Sequence, residues 1–172
     1  STEGRIRAFN LQTLEDDQHA FPPYECAFIY KEERATQYPE VFTTLDKLSG
    51  LLNDSTMTEL NFRVDYRQES PEEVARSFLQ SVGLYQADRK EGGAVITLGS
   101  KIFTEQYILT ELMAMMINGY TDYDVEKVPG LGGTKICFDA LMNDEIDIYP
   151  EYTGTAFLVL LSPDQVTREE LI

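Results

Sequence analysis

The spacing of apolar residues changes near the middle of the chain, and the change separates two stretches with different predicted elements. In residues 1–84, the alternation of Ile6, Ala8, Phe9 and Leu11 predicts a strand, and Cys26-Ala27-Phe28-Ile29-Tyr30 predicts another. Between them, the stretch from Leu14 to Tyr24 holds an acidic run and the pair Pro22-Pro23, which mark a loop. A helix is predicted from Pro39, which suits a first helical turn, to a stop before Gly50. Met57, Leu60, Phe62 and Val64 place an amphipathic helix over residues 55–66, entered from Asn53-Asp54-Ser55. Ser70-Pro71-Glu72-Glu73 has the order of a capping box, in which Ser and the third-position Glu each satisfy the other's backbone N–H. It opens a helix reaching Gly83.

Residues 94–172 alternate strand and helix instead. Strands are predicted at 94–98, 123–128 and 146–149, and helices at 103–118 and 134–142. Strand-helix-strand-helix-strand implies an α/β fold with a parallel sheet and right-handed crossovers. A short helix is expected in 162–172, opening at Thr167 with Glu170 three residues on. The joint, residues 85–93, is polar, lacks periodicity and ends in Gly92-Gly93, as a linker does.

The charge narrows the function classes. Fourteen basic and 30 acidic side chains in 172 residues give a net charge of −16, which repels phosphate backbones and argues against a nucleic-acid partner. The longest apolar run, Ala156 to Leu161, is far too short to span a membrane, and residues 1–10 do not read as a signal peptide. An export signal, if the protein has one, is therefore expected outside this sequence. The single histidine, His19, argues against Ser-His-Asp catalysis, and Asp139, Asp144 and Asp147 lack the spacing of a metal loop. No cofactor, metal or enzymatic activity is expected. Cys26 and Cys137 have no CxxC spacing; both as buried small apolar residues, or the two as a pair, remain open.

Ligands of parallel α/β sheets collect beyond the carboxyl ends of the strands. Three segments there hold unusual residues: Gly99-Ser100-Lys101-Ile102-Phe103-Thr104-Glu105, Gly130-Leu131-Gly132-Gly133-Thr134, and Glu151-Tyr152-Thr153-Gly154-Thr155. The second reads either as an anion-holding helix start or as a tight turn capped by Thr134; Lys135 replaces the third glycine of GxGxxG, which speaks against a nucleotide. Tyr24 and Tyr152 lie beside prolines or glycines, where a ring face could meet a quaternary ammonium or simply pack on its own loop. Lys101 and Thr155 could hold a carboxylate, or be a solvated lysine and a helix cap.

Together these segments resemble the substrate-binding proteins of ABC importers for glycine betaine, choline, carnitine and related compounds. Gly99 to Gln106, Gly130 to Thr134 and Tyr149 to Thr155 are similar, in order and spacing, to the start of such a mature protein. Phe21-Pro22-Pro23-Tyr24, Leu48-Ser49-Gly50, Met57 to Asn61 and Glu73 to Leu79 are similar to its end. The order is reversed and the middle of the family's sequence is absent. The resemblance therefore implies one lobe of a type II periplasmic-binding-protein fold, a mostly parallel central sheet flanked by helices. That lobe would be circularly permuted through residues 85–93 and would lack its second lobe. Two origins fit, a lobe rejoined by design and a piece spanning tandem binding domains; the first is favoured because the pieces complete one lobe with nothing left over.

The resemblance further implies an osmoprotectant-type receptor, outside the cytoplasm, whose partners are a small quaternary amine and the membrane subunit of an ABC transporter. Tyr24 and Tyr152 would form part of an aromatic cage, and Lys101 and Thr155 would face a ligand carboxylate where there is one. Thr134 and Ser100 are weaker candidates. The alternative is an interaction lobe that forms a homodimer through its exposed cleft face without binding ligand alone.

Overall fold

The computed structural model describes residues 2–14, 16–18, 24–89 and 92–161. The helix expected in 162–172, and His19, lie outside the described residues.

Four strands form one sheet in the order β1-β4-β2-β3: β1 Cys26–Tyr30, β2 Val95–Lys101, β3 Asp124–Gly132 and β4 Ile148–Tyr152. β2 runs parallel to both β3 and β4, and β1 closes the edge antiparallel to β4, so the sheet is mostly parallel as expected. The helices are α1 Gly4–Ala8, α2 Glu32–Gln37, α3 Pro39–Leu45, α4 Asp54–Asp65, α5 Pro71–Ser81, α6 Thr104–Tyr120, α7 Thr134–Met142 and α8 Thr153–Leu160. A 3-10 turn, Asp46–Leu48, continues α3 almost to Gly50.

The layering follows from α6, which is apolar around most of its circumference. Leu109, Leu112, Met113, Met116 and Ile117 are all buried, because the sheet covers one side of the helix and α3, α4 and α5 cover the other. A smaller cluster of Cys137, Ala140, Leu141, Ile146 and Tyr149 packs under α7. The helix starts are local. Asn53 Oδ1 accepts from Thr56 N–H at 2.9 Å. Ser70 Oγ accepts from Glu73 N–H at 3.2 Å, while Ser70 N–H donates back to Glu73 Oε2 at 3.0 Å.

Several sequence expectations change. Residues 4–8 are helical and not a strand: Gly4 is buried where a Cβ would stand 2.9 Å from Phe62 N, so the short helix docks on the α4 backbone. α2 was not expected; its two turns bury no residue, leaving little periodicity to read. β3 runs through Gly130 to Gly132, so no separate turn intervenes, and Gly133, not Thr134, is the α7 N-cap. β4 passes directly into α8, which places Thr153 and Thr155 in the first helical turn and not in a loop. The uniform apolarity of residues 156–161 hides that helix from a period search. Neither cysteine is paired, and Cys26 is exposed while Cys137 is buried.

Candidate functional site

Antiparallel pairing brings a segment from each of the two stretches together, β1 from the first and β4 from the second. Cys26 lies opposite Tyr152 in the β1–β4 register. The ladder extends one step further, with Thr153 N–H donating to Glu25 O at 3.0 Å and Glu25 N–H donating to Thr153 Oγ1 at 3.1 Å. Tyr24 is thereby carried over α8, its ring against Gly154. Tyr24, Tyr152 and Thr155, with Phe103 at the start of α6, line one open cavity of about 1380 Å³.

Tyr152 is fixed from behind. Its hydroxyl donates to Glu105 Oε1 at 2.5 Å, and Asn61 Nδ2 donates to Glu105 Oε2 at 2.9 Å and to Thr2 O at 2.7 Å. Burial, with the charge of Glu105 beside it, holds the Tyr152 hydroxyl well above the usual tyrosine range. The ring thus stays a neutral phenol whose O–H points at a carboxylate, which drives electron density into the ring face.

Lys101 lies beneath this wall, not on it. It is 2% exposed, and its ammonium donates to Glu151 Oε1 and, at 3.1 Å, to Thr134 Oγ1. Glu151 is 1% exposed, and its Oε1 also accepts from Tyr152 N–H at 2.8 Å. Lys101 Nζ sits 5.0 Å from the Tyr152 ring centroid and 5.8 Å from that of Phe103. The expectation that Lys101 faces a ligand carboxylate therefore meets an ammonium already paired, because its β2 position turns the side chain inward to β4 and α7. Ser100 is buried as well: its Oγ donates to Lys101 O at 3.1 Å and accepts from Gly130 N–H at 3.0 Å, where the β2–β3 register shifts. Thr134 is spent on Lys101, and neither Ser100 nor Thr134 lines the cavity.

Of the six expected site residues, the fold brings Tyr24, Tyr152 and Thr155 to one wall and places Lys101, Thr134 and Ser100 in its support. Glu105, Asn61, Glu151 and Phe103 stand within the motif segments of the sequence, which by themselves assign them no role. Glu105 is the second residue of α6, and an acid in a first turn reads as ordinary complement to the helix dipole. Among the described residues, no group of His, Cys, Asp and Glu could hold a metal ion, and no helix is long and apolar enough to cross a membrane.

An α/β fold with a cavity bordered by aromatic rings at the carboxyl ends of β2 and β4 has the layout of a small-molecule receptor. The sequence model of the substrate binding domain of the ABC-type glycine betaine transport system matches residues 1–81 and 94–171, and the chain belongs to that family. The family is one of transport receptors and not of enzymes. The chain is 37% identical over 86 residues to a carnitine transport binding protein of Listeria monocytogenes, covering 50% of this chain and 28% of that protein. It is 40% identical over 80 residues to a glycine-betaine-binding protein of Pseudomonas aeruginosa, covering 46% and 26%. To an ergothioneine transport permease/ergothioneine binding protein of Helicobacter pylori it is 37% identical over 84 residues, covering 49% and 15%. The chain thus spans little more than a quarter of the length of these curated relatives, or less.

Proposed function

We propose that this chain is the first lobe of a receptor for small quaternary amines, with Tyr24, Tyr152 and Phe103 as one side of an aromatic cage. The observation that carries the reading is the shared wall: two tyrosines from opposite ends of the sequence border one cavity with Thr155. A trimethylammonium group offers no hydrogen bond, so ring faces are its natural contacts, each worth about 0.5–2 kcal/mol. Lys101, Ser100 and Thr134 hold that wall in place in this reading and do not touch the ligand.

The lobe is a circular permutation in which residues 85–93 join the family's natural ends. Support comes from the two matched segments, which are separated by residues 82–93. In the whole receptor a second lobe would cover the exposed Tyr24 and Phe103 and supply the other half of the cleft. In the whole receptor, closure over the ligand would present the protein, outside the cytoplasm, to the membrane subunit of an ABC transporter. Half a cleft binds weakly, with a Kd of about 1 mM or above. NMR titration with choline, glycine betaine and carnitine tests this, the expected result being shifts confined to residues around Tyr24 and Tyr152. No perturbation by any of the three, or micromolar affinity in a monomer, would overturn the reading.

A further inference from the structure

Two polar side chains one turn apart on α4 hold the start of α6. Asn61 Nδ2 donates to Glu105 Oε2 at 2.9 Å, and Asp65 Oδ1 accepts from Thr104 Oγ1 at 2.6 Å. Asn61 Nδ2 also donates to Thr2 O at 2.7 Å, just ahead of α1. Both partners are acceptors, so the NH2 end of the Asn61 amide faces them, and its buried Oδ1 meets no hydrogen-bond partner among the described residues. An unmet buried oxygen is costly, so the two donated bonds are what an asparagine contributes at this position. α1 in turn rests on α4. Gly4 lies against the Phe62 backbone, and Arg7 sets its guanidinium 4.9 Å from the Phe62 ring centroid and pairs with Glu59. No α1 residue joins the main apolar core.

We propose that Asn61 is a positioning residue for the cavity wall: through Glu105 it makes the seat of the Tyr152 ring and the docking of α1 on α4 depend on one another. The proposal rests on the quaternary-amine reading and adds a link from the cage to a helix outside it. The chain of contacts is short and enclosed. Thr2 O and Glu105 share one amide nitrogen, Asn61 is 5% and Glu105 8% exposed, and Glu105 accepts the Tyr152 hydroxyl on its other oxygen. Release at one end loosens the other. Without Thr2 the Asn61 amide is free to turn from Glu105, and without the Tyr152 hydroxyl Glu105 is free to turn from Asn61. A ligand against the ring therefore favours docked α1, and docked α1 favours the ligand by the same factor, since linkage is reciprocal. Residues 5–11 do not line the cavity, so a change there reports the link and not ligand contact.

Hydrogen exchange at the amides of Phe9 and Leu11, which donate to Arg5 O and Ile6 O, reads the docking of α1. Tyr152→Phe, without ligand, should speed that exchange about fivefold or more. Choline, glycine betaine and carnitine are each titrated, and the tightest of them, as the probe, should slow it by a like factor at saturation. Gly4→Ala, whose Cβ would stand 2.9 Å from Phe62 N, should undock α1 with the core intact and weaken the probe by that same factor. Asn61→Asp, of nearly the same shape, removes both donated bonds and should produce both effects at once. Adding Glu105→Gln to Asn61→Asp returns a donor between the two side chains but none to Thr2 O. Affinity should then recover in part, while the probe no longer slows α1 exchange; a merely structural role for Asn61 would not separate the two. Unchanged α1 exchange in Tyr152→Phe overturns the proposal and leaves the quaternary-amine reading standing. So does unchanged probe affinity in Gly4→Ala when its α1 amides exchange freely. If none of the three compounds binds, the quaternary-amine reading falls, and the Tyr152→Phe exchange, which needs no ligand, decides the link.

Discussion

Tyr24 lies so close against Gly154 that a Cβ on that glycine would stand 2.7 Å from Tyr24 Cε2. The absence of a side chain at Gly154 is what lets the ring settle over α8 and reach the wall occupied by Tyr152. Gly154→Ala should therefore push the Tyr24 ring outward. Alanine gains up to about 1 kcal/mol of helix propensity over glycine, and the half-exposed ring can give way, so little stability is lost. The expected outcome is an unchanged or slightly higher Tm with weaker choline binding. A large drop in Tm would show that Tyr24 is rigidly held.

Tyr152→Phe keeps the ring and removes the hydroxyl that Glu105 accepts. Glu105 would retain Asn61 as donor and lose the other, at a cost of about 1–3 kcal/mol. Urea unfolding should show that loss, and ligand affinity should fall with it, since the ring loses its anchor. Tyr24→Ala, at an exposed site, should lower affinity with almost no change in unfolding free energy.

The Lys101–Glu151 pair is enclosed on both sides, so breaking it from one side leaves a buried charge. Lys101→Met alone should cost about 3–5 kcal/mol, and Lys101→Met with Glu151→Leu should cost much less than the two single changes together. A double-mutant cycle by denaturant titration measures the coupling. Additive losses would mean that water reaches the pair.

Acid should weaken the fold through particular carboxylates. Ser70, through its backbone N–H and its hydroxyl, holds the Glu73 carboxyl below its ordinary value; Arg63 does the same for Glu69, and Lys31 with Arg34 for Asp144. A depressed folded-state value means each contributes fully above its unfolded pKa, about 4.3 for Glu and 3.9 for Asp, and loses that contribution as pH falls through the folded value. Tm should decline below about pH 4. Glu73→Gln keeps a side chain able to accept from Ser70, so its Tm should decline less steeply than that of the unaltered chain over the same range.

Tyr24 and Phe103 at the cavity, with Ile102 next to Phe103, are exposed and leave apolar surface uncovered. Light scattering across a concentration series should show self-association that ligand or a separately supplied second lobe suppresses. Mass that stays monomeric throughout would indicate that the net negative charge keeps copies apart.

The regular helices were legible because their signals are local. Asn53 and Ser70 cap with their own side chains, and the apolar spacing of α4 and α5 survives in the linear sequence. α1 and α8 were not, for opposite reasons. α1 is helical because Gly4 meets the α4 backbone, a contact made only on folding, and α8 is too uniformly apolar to show a period. At the site, residue types pointed to aromatic and basic candidates, but burial sorted them: Tyr24 and Tyr152 reach the cavity, whereas Lys101 is turned inward to Glu151.

Amino-acid order alone determined the α/β class, the capped helices, the acidic charge and the motifs that carry the family resemblance. Each of these depends on neighbours within a few positions or on composition. Tertiary structure decided which residues share a wall and which charges cancel. β1 pairing with β4 brings Tyr24 beside Tyr152, and the packing of α6 against β4 and α4 puts Glu105 behind that ring. Such meetings depend on strand register and burial, which arise only when distant segments close on one another.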